Sequence, residues 1–182
     1  MEASGVHVKD HPEVIRGLKE QMCSISGNFN YDMQNPDDPI SMEERSYELP
    51  SGEIIQVDHK KRFSATEILF NPSLVGYKDS HDKPLEGIAA MAYRSIDKCD
   101  NDLKINLFNN IVLAGGSTLM PGFRERFEME ICQLAENSAK TDINVFADLY
   151  RKNAAWIGGS MLASFSTFKE MTITKEDYES NQ

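Results

Sequence analysis

The residues of this chain best placed to do chemistry are the run Gly115-Gly116-Ser117-Thr118. It follows the apolar residues Ile111-Val112-Leu113-Ala114 and precedes Pro121-Gly122. Paired glycines let a backbone approach a ligand closely, and a helix expected from about residue 123 to 134 would turn free amides and a positive dipole end towards the loop. Strand, glycine loop and helix in that order suit a nucleotide. The same run also serves as plain connection chemistry, and it is neither a P-loop nor a dinucleotide fingerprint. His81, with Asp79 and Asp82 beside it, is a candidate metal ligand. No second His or Cys follows at a ligand spacing, so it reads better as a solvated loop histidine. Cys23, Cys99 and Cys132 are odd in number and widely separated. They suit buried thiols in a reducing compartment rather than disulfides.

These residues need elements to hold them. Asp10, with Pro12 next and Glu13 three residues on, marks a helix start, and Val14, Ile15, Leu18, Met22 and Ile25 keep one face apolar while Lys19, Glu20 and Gln21 lie off it. Residues 28–45 are rich in Asn, Asp and Pro, and Pro36 and Pro39 exclude a continuous helix, which predicts an exposed insertion. Tyr47-Glu48-Leu49 and Ile54-Ile55-Gln56-Val57 flank a Gly52-containing turn and predict a hairpin. A short helix is expected to start near Thr66 and to end before Asn71-Pro72. A charged loop over 77–84 then gives way to helical alternation through Ile88, Met91, Ala92 and Ile96.

Residues 142–146 read as a second short strand and 156–165 as a helix with a broad apolar face. Gly158 and Gly159 each cost a helix roughly 1 kcal/mol relative to Ala, so a backbone or a ligand is expected to pack closely on them; simple helix packing is the plainer reading. Residues 167–178 end the ordered pattern, with a charged turn at Lys175-Glu176-Asp177. No low-complexity run or internal repeat interrupts the chain.

Composition excludes several classes. The 182 residues carry 19 basic and 29 acidic side chains, for a formal charge of −10, which repels a phosphate backbone and argues against direct binding of nucleic acid. Apolar runs fall far short of the roughly 20 residues needed to cross a bilayer, and residues 1–10 lack the basic start and apolar stretch of a secretory signal. A soluble chain with no membrane insertion is expected.

The run Asn110-Ile111-Val112-Leu113-Ala114-Gly115-Gly116-Ser117-Thr118, with Pro121-Gly122 and an Arg-containing helix, resembles the actin family. So does Trp156-Ile157-Gly158-Gly159-Ser160-Met161-Leu162-Ala163-Ser164, with Ser166-Thr167-Phe168 and Ile173-Thr174-Lys175-Glu176-Asp177-Tyr178 after it. Ser46-Tyr47-Glu48-Leu49-Pro50-Ser51-Gly52, Leu69-Phe70-Asn71-Pro72-Ser73, Lys98-Cys99-Asp100 and Leu18-Lys19-Glu20-Gln21-Met22-Cys23 match at corresponding places. The resemblance covers about residues 10–178 and is specific to actin and its near relatives rather than to Hsp70 and sugar kinases.

It implies an α/β, actin-like ATPase (ribonuclease H-like) fold, of which this chain carries only the C-terminal half. Residues 1–9 do not match. Residues 10–75 correspond to the small outer lobe (subdomain 4-like), 76–150 to the larger inner lobe (subdomain 3-like) and 151–182 to a return segment (part of subdomain 1-like). The implied cofactor is ATP or ADP with Mg²⁺. By resemblance, Lys19 and Glu20 approach the adenosine, Gly115, Gly116 and Ser117 pack against the nucleotide, and Lys152 closes over the base. Without it, Lys19 and Glu20 read as a solvated helix face. Ile157, Met161, Leu162, Phe165 and Thr167 fall on the segment lining the groove where helices of regulatory proteins dock, although their spacing alone reads as core.

The chain departs from the family pattern in places. Met120 stands where actins usually carry a tyrosine near the adenine, and Asn153-Ala154 replace the residues that usually follow the closing lysine. Residues 137–148 lack a proline-containing strand ending, and no basic Cys-Phe tail follows. The Asp- and Gly-containing hairpins that clamp the phosphates belong to the half not matched, so neither a catalytic residue nor a metal ligand is expected here, and no hydrolysis by this chain alone. The implied partners are actin or actin-like subunits and actin-binding proteins, in the cytoplasmic cytoskeleton. The alternatives are a nucleotide-independent module docking on actin or a larger complex, and an actin-related subunit of a nuclear remodelling complex.

Overall fold

Pro12 opens helix α1 (Pro12–Met22), where its fixed φ is already helical and its missing N–H is no loss. The computed structural model describes residues 11–35, 45–135 and 142–180. The expectations for residues 1–9, for Asp10, for Pro36 and Pro39 and for the start of the 137–148 segment lie outside these. His11 takes the capping position, and its carbonyl accepts from the amides of Val14 and Ile15 at 3.0 and 3.2 Å. Val14 and Met22 are buried, whereas Ile15 is exposed, so the apolar stripe is narrower than the spacing predicts. Ile25 is buried beyond the helix end. Helix α2 (Phe29–Gln34) forms within the stretch expected as an exposed insertion and ends before Pro36: the Asn28 side chain caps it, accepting from the Tyr31 amide at 3.2 Å.

Strands β1 (Arg45–Glu48) and β2 (Ile54–Val57) form the expected antiparallel hairpin, with Tyr47 opposite Ile55. Leu49, Ile55 and Val57 close on Val14 and Met22 to make the smaller of two cores. Helix α3 (His59–Glu67) begins well before Thr66, because the Asp58 carboxylate caps it by accepting from the Lys60 amide at 2.7 Å. In the charged loop that follows, the Asp79 carboxylate accepts from the backbone amides of His81 and Lys83 at 2.8 and 2.9 Å, which commits it to the turn.

The larger core gathers Phe70, Ala89, Phe108, Phe123, Phe127 and Ile131 around the β-pair, with Ile25 among them. It is built by α4 (Ile88–Asp97), α5 (Asn101–Phe108) and α6 (Phe123–Ala135) on strands β3 (Ile111–Val112) and β4 (Val145–Phe146). The strands pair in parallel, Ile111 opposite Val145, with α6 in the connection, so the arrangement is α/β. Helix α5 has no counterpart in the sequence reading; only Phe108 of it is buried, too little to mark a stripe.

Helix α7 (Ala154–Ser164) is followed by a 3₁₀ turn (Ser166–Met171) and α8 (Lys175–Ser180). The charged stretch expected as a turn is the start of α8: the amide of Asp177 donates to the Thr174 hydroxyl, and the Thr174 amide donates back to the Asp177 carboxylate, both at 3.1 Å. The Thr174 hydroxyl, then its amide, hold the Asp177 carboxyl below its ordinary value. No residue of α7 is buried, and a Cβ built on Gly158 or Gly159 meets nothing within 4 Å, so the expected close neighbour is not in the described chain. Cys23 and Cys99 are half-buried and Cys132 is exposed, none of them in a disulfide, which corrects the expectation of three buried ones; burial pushes the Cys23 thiol up. Among the described residues no helix is long and apolar enough to cross a membrane.

Arg126 of α6 ties α3 and the segment after α1 to the larger core. Its guanidinium donates to both Glu67 carboxylate oxygens at 2.9 and 3.3 Å, to Glu130 at 2.5 Å and to the Ser26 carbonyl at 2.7 Å, and it lies 5.0 Å from the Phe70 ring centroid. Burial pushes the Glu67 carboxyl above its ordinary value, against the pull of Arg126. The two side chains are 10% and 3% exposed, so removing one leaves a buried charge without its partner. Arg126→Ala is expected to cost about 3–5 kcal/mol, and the double replacement Glu67→Met with Arg126→Met clearly less, as read from urea unfolding midpoints.

Candidate functional site

A polar cavity of about 580 Å³ lies where α1 meets the glycine loop and the turn before α7. Helix α1 supplies Lys19 and Glu20, the loop supplies Gly116, Ser117 and Met120, and the 3₁₀ turn Arg151–Asn153 supplies Lys152. The Lys19 ammonium donates to the Ser117 hydroxyl at 3.2 Å, and the Lys152 ammonium donates to a Glu20 carboxylate oxygen at 3.1 Å. Six of the seven expected nucleotide-side residues therefore meet in one place. Gly115 does not line the cavity but sets the loop behind it: its φ of 89° and ψ of 155° fall where essentially only glycine is found, and its amide donates to the Arg151 carbonyl at 2.8 Å.

The loop runs into a 3₁₀ turn (Gly116–Leu119) instead of directly into α6. The first α6 amide, that of Phe123, donates to the Met120 carbonyl at 3.0 Å, and no residue of α6 lines the cavity. The expectation that α6 would present free amides to a ligand is corrected accordingly. Gly122 lets the loop pack closely on the segment after α1, since a Cβ there would lie 2.5 Å from the Ile25 carbonyl oxygen.

Arg16, Leu119 and Asn153 complete the lining. Arg16 sits one helical turn before Glu20 and donates to it at 3.4 Å, a spacing that was open to view in the sequence. Arg151 is the residue that spacing could not mark. It donates to the Thr118 hydroxyl at 3.0 Å and carbonyl at 2.9 Å, and to the Asp148 carbonyl at 2.7 Å, fixing the loop from behind. The lining thus offers Arg16, Lys19 and Lys152 as cations beside the apolar Leu119 and Met120, a surface suited to a flat ligand with anionic or strongly polar edges.

Ile157, Met161, Leu162, Phe165 and Thr167 take no part in this cavity. They lie on α7 and the turn after it, with Ile157 half-buried and the others exposed; Met161 is 61% and the neighbouring Trp156 77% exposed. The stretch read by spacing as core is a surface in this chain.

A sequence model of the actin family matches residues 4–182. The chain is also similar to the putative actin-29 of Dictyostelium discoideum, at 37% identity over 169 residues, a match covering 91% of this chain and 41% of that relative. It therefore spans well under half the length of the relative it matches.

The cavity's electrostatics give a pH test. The hydrogen bond from Lys152, then that from Arg16, hold the Glu20 carboxyl below its ordinary 4.5. A depressed carboxylate contributes its attraction above the unfolded value and loses it as pH falls through the folded one. In Lys152→Ala, the Glu20 titration followed by carboxyl ¹³C shifts is expected to move up towards the ordinary value. An unchanged midpoint would show that the clasp does not form in solution.

Proposed function

Because the chain belongs to the actin family, we propose that its polar cavity takes the adenosine side of ATP or ADP. The observation that carries this reading is the meeting of Lys19, Glu20, Ser117 and Lys152, from segments far apart in sequence, around one cavity. Gly116 offers backbone without a side chain, Met120 an apolar surface for the base, and the Lys152–Glu20 clasp a bar that closes over it. In this reading residues 10–75 and 76–150 act as the outer and inner lobes, and the cavity opens where they meet.

Magnesium does not fit this lining. Glu20 is the one carboxylate among the described lining residues, and Lys152 and Arg16 already engage it. The ion would be held with the phosphates by groups outside this cavity, those of the portion of the family that this chain does not match. The chain by itself binds the base side without releasing phosphate, since phosphoryl transfer depends on positioning and charge at the terminal phosphate. Its setting is the cytoplasmic cytoskeleton, with actin or actin-like subunits and actin-binding proteins as partners.

The direct test is equilibrium binding of a fluorescent ATP analogue with Mg²⁺. Saturable binding is expected, weakened roughly tenfold or more by Lys19→Ala and by Lys152→Ala through loss of charged hydrogen bonds. Gly115→Val, which forces a β-branched residue into glycine-only backbone geometry, should abolish it. No binding up to millimolar analogue would overturn the nucleotide reading.

The exposed apolar face of α7 favours a second reading, a nucleotide-independent module that docks on actin or a larger complex through Ile157, Met161, Leu162, Phe165 and Thr167. Immobilised full-length actin should then retain the chain in the absence of nucleotide, lose it on Met161→Glu with Phe165→Glu, and be indifferent to Lys19→Ala.

A further inference from the structure

A second cavity, of about 430 Å³, adjoins the polar one and shares Lys19, Ser117 and Met120 with it. Its character is different. Leu18 and Met22 of α1, Val57 at the end of β2, Ala65 of α3, and Ile68 and Leu69 just beyond it form apolar walls. The two polar side chains deepest among them are already engaged with backbone: Arg62 donates to the Met22 carbonyl and Thr66 to the Ser24 carbonyl, both at 2.6 Å.

Two lysines also line this chamber, Lys19 and Lys61. Neither has a carboxylate partner among the described residues. An apolar volume in the range of small-molecule sites, roughly 300–1,000 Å³, with two unmatched cations beside it, is complementary to an apolar body with an anionic head. We propose that this chamber binds a small amphiphilic monoanion, its hydrocarbon body between α1 and α3 and its carboxylate at Lys19 and Lys61. Burial of the body supplies the attraction, and the lysines fix which end faces out. The proposal does not rest on the nucleotide reading: Lys61 lines only this chamber, and Lys152 only the polar cavity.

The probe is decanoate, titrated calorimetrically into the full chain, with decyltrimethylammonium as the analogue of opposite charge. Decanoate should bind saturably and the ammonium should not compete. Lys61→Glu, which reverses the charge, and Ala65→Trp, which fills the chamber from an exposed position, should each weaken decanoate roughly tenfold. Lys152→Ala and Met161→Glu should leave it unchanged, and circular dichroism confirms that each variant is folded. Absence of saturable binding, equal binding of the ammonium, or loss in Met161→Glu, which would place the hydrocarbon on α7, overturns the proposal. Failure of the ATP analogue to bind leaves these readouts untouched, and retention of decanoate in Lys61→Glu overturns the chamber whatever the nucleotide does.

Discussion

A buried guanidinium cannot be left without partners, and in this chain the demand of Arg126 organises the rest. It draws Glu67 from α3, Glu130 from its own helix and the Ser26 carbonyl from the segment after α1 to a single point, with the Phe70 ring against its face. The pair joins α3 and the segment after α1 to the helix that fills the larger core. The cavity depends on that union, because Lys19 and Glu20 stand on α1 while Ser117 and Met120 stand on the loop before α6. Ile25 donating to the Pro121 carbonyl at 2.8 Å fixes the same junction through backbone.

What was legible in the sequence follows from how local each cause is. The hairpin, the β3 segment, the glycine loop and α4 depend on nearest neighbours and on short periodicities, and they lie where the pattern places them. The Asp58 cap starts α3 well before the Thr66 region that its helix formers indicate, and the one buried phenylalanine of α5 leaves no periodic signal. Arg126, Glu67 and Arg151 act across the fold, and nothing in their local sequence distinguishes them from surface charges. Lys19, Glu20 and Lys152 are marked by resemblance to actin and not by spacing; their convergence on one cavity is a geometric fact that no local pattern holds.

Helix α7 shows the opposite failure. Its apolarity was plain, and apolar helices are usually core, yet all of it but the half-buried Ile157 is exposed in this chain. Periodicity reports that a face is fit for burial and is silent about which molecule buries it. The charge pattern has a similar limit: a formal charge of −10 describes the whole surface, while Arg16, Lys19, Lys61 and Lys152 collect around two adjoining cavities.

The Lys152–Glu20 clasp has a consequence in time. Its two ends lie 132 positions apart in the chain, so during synthesis Glu20 emerges before Lys152 and waits with Arg16 as its near partner until the segment after β4 follows. Closing so long a loop is entropically late relative to the hairpin and the helix caps. The polar cavity is therefore finished after the local elements that lie between its two ends. A ligand that needs both ends binds only the completed fold, and its presence while the chain is being made would draw folding to its final step and hold it there.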